Sequence, residues 1–209
     1  MNKWRILSVS LIAIGILFLC LPLYHNWSVN ESQSTLRSEW NSLNRAYASD
    51  NSEEKFLTKE ERSSLTPPTN PFREKIMESG LVGQLKIPSI NVDVMIAPGV
   101  TNDVLKNAVG WMTSTSLPEE NSNIAIAGHR SHTYGQFFHR MGEVEIGDIV
   151  YLETLSGEYK FEVYDILVVL PDDLSVLDPT DEAELTLITC EPLYSDEFRL
   201  IVKAKLYKQ

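Results

Sequence analysis

One cysteine stands apart as a candidate for chemistry. Cys190 follows residues 185–189, Leu-Thr-Leu-Ile-Thr, an apolar and β-branched run typical of a buried strand. The end of a strand is a rigid place from which to present a nucleophile. A free thiol has a pKa of about 8.5, so a reactive Cys190 requires a nearby cation or base. Without such a neighbour, the same pattern fits a buried structural thiol.

His129 is the candidate base. It directly follows residues 123–128, a second strand pattern that ends in Gly128. Its rivals His132 and His139 lie in the loop and short helical stretch that follow, and His25 adjoins an apolar N-terminal run. At the end of a core strand, a histidine serves either as a hydrogen-bonded structural group or as a general acid and base.

Arg199 is the candidate cation. It opens the apolar run of residues 199–202, where an arginine is costly unless its head is solvated or paired. It is therefore either a rim residue that reaches water, or a guanidinium that stabilises an oxyanion or orients a substrate carbonyl. The loop of residues 191–198 is short, so we expect Cys190 and Arg199 on neighbouring strands.

These side chains need a β framework. From residue 81 onward the sequence shows short strand patterns, with residues 81–87 and 90–96 joined by the turn Pro88-Ser89, and further strands at residues 123–128, 149–153, 159–170, 185–189 and 198–206. Thr101 is placed to cap a helix over residues 102–109. Seven or eight strands with little helix predict a mainly β fold that closes into one barrel.

The N-terminus predicts a membrane segment. Lys3 and Arg5 precede the uncharged apolar residues 6–24, which as a helix would span roughly 28 Å. A cleaved signal peptide would end in a small-x-small site, whereas this run ends in Leu-Pro-Leu-Tyr. We therefore expect an uncleaved anchor, with residues 1–5 cytoplasmic and the rest of the chain outside. Cys20 is interpreted as a small apolar residue of this helix.

Residues 25–80 have the composition of a stalk or linker. Ser, Asn, Glu and Lys dominate, and Pro67, Pro68 and Pro71 close the segment. Apolar residues recur at helical spacing in its first half, namely Leu36, Trp40, Leu43 and Tyr47. A docking or autoinhibitory arm is the alternative. Residues 81–209 are then the catalytic domain.

Composition excludes several classes of protein. The 209 residues are 43% hydrophobic, which excludes wholesale disorder, and the net charge of -11 argues against nucleic acid as a partner. Two cysteines that form no Cys-x-x-Cys pair are too few for a disulfide-rich scaffold or a four-thiolate zinc site. Residues 81–209 carry nine basic and 20 acidic side chains, so the whole net charge lies there.

Residues 172–184 are the most acidic part of that domain. This segment either attracts a basic substrate tail or amine, holds a cation weakly, or is a solvated loop. Val176 and Leu177 lie in its middle and are the better candidates for contact with an apolar substrate.

Together these residues resemble the signature of sortases, the membrane-anchored cysteine transpeptidases of Gram-positive bacteria. The resemblance rests on Thr-Leu-Ile-Thr-Cys190, on Ala-Gly-His129 and on Arg199 in that order, and it covers about residues 81–206. It implies an eight-stranded β-barrel with short helices. It also implies catalytic roles for Cys190, His129 and Arg199.

The resemblance also implies an activity. Sortases cleave a sorting signal of the LPxTG type between Thr and Gly through a thioester, then pass the acyl group to a cell-wall amine. Substrate contacts would fall to Thr189, Glu191, Val176 and Leu177, with the Glu191 backbone N–H as a second oxyanion donor. Two alternatives stay open: a membrane-anchored cysteine protease that only hydrolyses, and a surface binding module with a structural thiol.

The anchor position, and the absence of a second apolar segment, resemble class A or class D sortases more than class C. Some class A members bind calcium through acidic residues before the histidine. The comparable positions here are Ser114, Leu117 and Asn121, none of them acidic, so we expect no calcium requirement and no cofactor. Glu119 and Glu120 are near enough for a shifted loop to coordinate an ion.

Overall fold

Eight strands close into one barrel. The structure, a computed structural model, describes residues 3–54, 71–130 and 136–207. Around the barrel the strands lie in the order β1-β2-β3-β4-β7-β8-β6-β5. They are β1 (Gly83–Ile87), β2 (Val92–Pro98), β3 (Val109–Trp111), β4 (Asn123–Ala127), β5 (Ile149–Thr154), β6 (Gly157–Val169), β7 (Glu184–Glu191) and β8 (Phe198–Leu206). The prediction of a mainly β, eight-stranded barrel is confirmed.

The strand pairs are mostly antiparallel, but β2 pairs with β3 and β4 pairs with β7 in parallel. β5 alternates between buried and half-buried residues, as a strand with one face on the core should. The first four residues of β4 and of β7 are all buried, so these strands show no alternation between buried and exposed positions there. The barrel interior is filled by large side chains, including Trp111, Phe138 and Phe161.

Local differences from the sequence prediction have simple causes. Thr101 caps a helix as expected, but that helix, α3 (Asn102–Leu105), is only one turn long. The chain then enters β3, a strand that the sequence did not reveal because three residues are too few to show alternation. Between β1 and β2, the predicted turn is a 3-10 helix over Pro88–Ile90.

The N-terminal region is a long helix that docks on the barrel. Helix α1 (Lys3–Glu54) is followed by α2 (Pro71–Ser79). Trp40 of α1 is 1% exposed and packs in a cluster with Leu81, Met95 and Leu155 of the barrel. Leu36, Leu43 and Tyr47 pack around that cluster, so the helical spacing of these residues is confirmed. Pro67 and Pro68 of the predicted linker lie outside the described residues.

Polar contacts fix the register of this docked helix. Both terminal nitrogens of the Arg37 guanidinium lie 3.2 Å from the Asp93 carboxylate of β2. Gln33 accepts a hydrogen bond of 3.0 Å from the backbone N–H of Met95, and the Trp40 indole donates to Glu153 at 3.4 Å. Residues 29–47 of the predicted stalk thus form a layer on the catalytic domain. Within the part of the chain that the structure describes, no helix is both long enough and apolar enough to cross a membrane.

Candidate active site

The parallel pairing of β4 with β7 brings His129 beside the cysteine strand. Ala127 lies opposite Ile188, and the Gly128 backbone N–H donates to the Ile188 carbonyl at 3.0 Å. One residue further along each strand are Gly128 and Thr189, and His129 and Cys190 follow them. Two strands that end at the same mouth of the barrel therefore present the histidine and the thiol together.

The antiparallel pairing of β7 with β8 places the Arg199 guanidinium beside Cys190. Cys190 and Arg199 are directly opposite each other in this ladder. Their adjacency, which the sequence predicted from the short loop between the strands, is confirmed. Cys190 carries a free thiol and is half-buried, as is Arg199, while His129 is exposed.

All three candidates line one cavity of about 340 Å³ at this mouth. Its wall also includes Thr189, Val176 and Leu177, three of the four residues predicted to contact substrate. The rest of the wall is largely apolar and includes Val100, Leu105, Met112, Val169, Leu174 and Ile201. An apolar cleft with a few convergent polar groups is the usual form of a small-ligand or peptide site.

Close packing fixes the backbone next to His129. A Cβ at Gly128 would lie 2.7 Å from the Phe138 ring and 2.9 Å from Val109, so only glycine fits. The buried Thr189 hydroxyl donates to the Gly128 carbonyl at 2.8 Å. Thr189 thus ties the two strand ends together through its side chain, while it also lines the cavity.

The Arg199 guanidinium is held by its own hairpin. Its Nη1 donates to the carbonyls of Asp196 at 2.9 Å and Phe198 at 3.0 Å. These bonds use one nitrogen of a group with five N–H donors. The guanidinium is therefore oriented at the cavity wall, and its other N–H donors bond to none of the residues that the structure describes, which suits them to a substrate oxygen.

The loop between β6 and β7 forms one side of the cavity. A 3-10 helix over Leu174–Leu177 presents Val176 and Leu177. Asp173 caps this helix: it accepts bonds from the Ser175 hydroxyl at 2.6 Å and from the Ser175 backbone N–H at 3.0 Å. These bonds hold the pKa of the Asp173 carboxyl below its ordinary value, so a negative charge stays at the cavity wall.

Asn123 fastens that loop to the barrel, a role that sequence reasoning missed. Its buried amide donates to the carbonyls of Val176 and Asp178 at 3.0 and 3.1 Å, and its oxygen accepts from Thr186 at 2.8 Å. A polar residue opening an otherwise apolar strand pattern was the available signal.

Glu191, the fourth predicted substrate contact, does not line the cavity. Its carboxylate forms an ion pair with Arg130, the residue after His129. The sequence carried a signal for this pair, because a positive residue directly follows His129 and a negative residue directly follows Cys190. His139 is not among the described residues of the cavity wall, and His132 lies outside the described residues.

Two of the three positions compared with a calcium site have structural roles. Leu117 is buried, and Asn121 donates to the Asp181 carbonyl while its oxygen accepts from the Ala183 N–H. Glu120 pairs with Arg73 and Glu119 bonds to Thr154. Over residues 3–54, 71–130 and 136–207, no group of three or more His, Cys, Asp or Glu side chains gathers to hold a metal.

A closed barrel that gathers cysteine, histidine and arginine at one mouth has the architecture of a cysteine-dependent acyl-transfer enzyme. The family model for the sortase domain matches residues 85–207. The chain belongs to the sortase family.

Curated relatives agree with this assignment. Sortase D of Bacillus subtilis is 37% identical over 111 residues, which is 53% of this chain and 54% of that protein. The matched part of the chain thus spans about half the length of that relative. Sortase A of Bacillus anthracis is 24% identical over 209 residues, covering 99% of this chain and 97% of that protein.

Solved structures share the fold. A sortase D5 transpeptidase of Clostridium perfringens is 33% identical with a TM-score of 0.58, over 75% of this chain and 93% of that one. A Clostridium perfringens sortase C, solved with the C-terminal cell wall sorting motif, is 28% identical with a TM-score of 0.59, over 77% of this chain and 97% of that one.

Proposed function

We propose that this sortase is a cysteine transpeptidase that cleaves an LPxTG-like sorting signal between Thr and Gly and transfers the acyl part to a cell-wall amine. The observation that carries the proposal is the single cavity that unites Cys190, His129 and Arg199. A related sortase C has been solved with a cell wall sorting motif, which supports a sorting signal as the substrate class.

In the first half-reaction, the Cys190 sulfur attacks the threonine carbonyl carbon. The thiol proton passes to His129, the C–S bond forms, the peptide C–N bond breaks, and His129 gives the proton to the departing glycine amine. Arg199 stabilises the oxyanion of the intermediate, because its guanidinium lies at the cavity wall across from Cys190. The product is a thioester on Cys190.

In the second half-reaction, an amine attacks the thioester. His129 accepts the proton of that amine, a new amide bond forms and the thiolate leaves. Water would attack the same thioester in a purely hydrolytic protease. The acidic residues near the cavity, including the charged Asp173, favour a cationic amine acceptor.

We further propose that residues 6–24 anchor the enzyme in the plasma membrane of a Gram-positive bacterium, with the barrel outside. The apolar sequence of this segment supports the proposal. We also propose that turnover needs no calcium, since Leu117 and Asn121 serve structural purposes. Equal rates in excess chelator and in millimolar calcium are expected.

The decisive experiment is mass spectrometry of the protein after incubation with a panel of sorting peptides. We expect a mass increase on Cys190 equal to the peptide acyl fragment ending in threonine, which identifies nucleophile and cleavage position at once. Adding an amine should then release a peptide–amine product. Release of hydrolysed peptide alone would indicate a protease, and no adduct with any peptide would indicate a binding module.

A further inference from the structure

Arg130 hydrogen-bonds to β7 at the point where the backbone hydrogen bonds from β4 end. The β4 strand ends at Ala127, and the last backbone bond from this side reaches the Ile188 carbonyl. Carbonyls alternate in direction along a strand, so the Cys190 carbonyl points to the same side as that of Ile188, where no further β4 residue remains. Arg130 Nη1 donates to this Cys190 carbonyl at 3.2 Å.

The same guanidinium nitrogen also contacts the next residue of β7. It donates to the carboxylate of Glu191, and the two side chains are only 11% and 27% exposed. Arg130 therefore bonds to two consecutive residues of β7, to the backbone carbonyl of Cys190 and to the side chain of Glu191. A half-buried charge pair of this kind contributes little net stability but fixes geometry.

The guanidinium lies in a slot that the chain leaves open for it. A Cβ at Gly142, in the 3-10 helix Met141–Glu143, would lie 2.6 Å from Arg130 Nη2. The Arg130 Nε is buried, and none of the described residues accepts a hydrogen bond from it. Within the described residues, the side chain thus makes its two contacts with β7 while its Nε has no acceptor. This arrangement suits a positioning residue better than one selected for stability.

We propose that Arg130, neutralised by Glu191, is a positioning residue that clamps the end of β7 and so aims the Cys190 thiol at the scissile carbonyl. Because His129 directly precedes Arg130, the clamp also couples the position of the histidine to that of the cysteine. The proposal rests on the transpeptidase function above. It assigns Arg130 no contact with sulfur or substrate.

The test is single-turnover acylation of Cys190 by a sorting peptide, followed by mass spectrometry. Arg130→Gln should lower the rate constant at saturating peptide by about 10- to 100-fold, because a displacement near 1 Å costs up to that much. The peptide concentration at half-saturation should stay within about twofold, since binding contacts remain. Arg130→Lys, which keeps a donor and the charge, should recover part of the rate.

A second variant moves the guanidinium without removing it. Gly142→Ala should displace Arg130 through steric contact and give a smaller loss of the same rate constant. Arg140→Gln is the matched control: Arg140 also donates to a backbone carbonyl, that of Ile90, and also pairs with a glutamate, Glu143, but outside the cavity wall. Its acylation rate should match that of the wild type.

Alkylation by iodoacetamide distinguishes the orientation of the Cys190 thiol toward the peptide from the chemical reactivity of the thiol itself. A clamp that only aims the thiol leaves the alkylation rate of Arg130→Gln within about twofold of wild type. A parallel fall in alkylation and acylation would instead show that Arg130 acts on the charge of the thiol, and would overturn the proposal. So would an unchanged acylation rate in folded Arg130→Gln, with folding checked by thermal melting.

The outcomes distinguish this inference from the proposed function. If the wild type forms the thioester and Arg130→Gln forms it equally fast, only the clamp is wrong. If the wild type forms no adduct with any sorting peptide, the transpeptidase function fails and the clamp falls with it.

Discussion

The two ends of β7 differ in whether their polar side chains are paired within the protein or face a cavity. At the start of the strand, the buried Glu184 carboxylate accepts a bond from the Tyr164 hydroxyl at 2.8 Å and pairs with Lys203 at 3.0 Å. Burial and this carboxylate raise the pKa of Tyr164, which keeps its proton. At the other end, the Cys190 thiol is free and faces an open cavity.

The comparison shows how one strand is both anchored and reactive. The closed network at the Glu184 end has its hydrogen-bonding groups satisfied inside the protein, so it fixes the strand. The Cys190 end keeps the proposed nucleophile and the Arg199 guanidinium at the cavity wall. Changes at the first end should therefore alter stability, and changes at the second should alter turnover.

The largest effect is expected for Cys190→Ala. Loss of the nucleophile should reduce peptide cleavage by at least about 10³-fold, with melting temperature nearly unchanged because the thiol is only half-buried. Cys20→Ala, which removes the other free cysteine, should retain full activity. Substantial cleavage by Cys190→Ala would show that the chemistry lies elsewhere.

Arg199→Ala should have the next largest effect, a loss of about 10²-fold in kcat/KM. The loss reflects removal of a donor to the oxyanion. Lys205→Ala is the control on the same strand, because exposed Lys205 lies opposite Glu184 at the other end. An equal kcat/KM for Arg199→Ala and Lys205→Ala would contradict the idea that only the Cys190 end of β7 acts in turnover.

Lys203→Met tests the closed end. It leaves a buried carboxylate without its cation and should lower the free energy of unfolding by about 2 kcal/mol, less than for a fully buried pair because Lys203 is 20% exposed. Denaturant unfolding measures this, and kcat should be unchanged. In Lys106→Met, which breaks a pair exposed at 67% and 92%, the change should stay below about 0.5 kcal/mol.

The smallest effect is expected for Asp173→Ala. Loss of the cap loosens the 3-10 helix that carries Val176 and Leu177, so KM should rise by about threefold with kcat nearly constant. Asp172→Ala, one residue earlier, is the control.

The Asp173 effect should also depend on pH. The folded-state pKa of this carboxyl is lowered, so its capping contribution is present above the ordinary value of about 4 and is lost as pH falls through the lower folded value. The stability difference between wild type and Asp173→Ala should shrink below about pH 4. A difference that is constant down to pH 2 would contradict the role of charge.

The sequence revealed the parts of the site that depend on strand ends. Cys190, His129 and Arg199 each adjoin a strong strand pattern, and parallel or antiparallel pairing of those strands suffices to bring them together. Arg130 and Asn123 were missed although each left a local signal, a charge next to a candidate and a polar residue in an apolar strand. Their partners lie about 50 to 60 residues away in the chain, so the signal marks the residue but not the contact that it makes.

The sequence left the docking of α1 open as the alternative to a stalk, for a related reason. Leu36, Trp40 and Leu43 indicated an apolar helix face, but the surface that covers it, around Met95 and Leu155, is formed only once the barrel has closed. A polar, proline-terminated segment therefore had the composition of a linker although part of it is packed.

The buried Trp40 has a practical consequence for recombinant versions of the enzyme. A shortened protein starting at residue 81 would leave Met95 and Leu155 facing water and Glu153 without its indole donor. Such a fragment should be prone to self-association. The smallest well-behaved enzyme should instead begin at or before Val29, the first of the described side chains of α1 that pack into the core of the barrel.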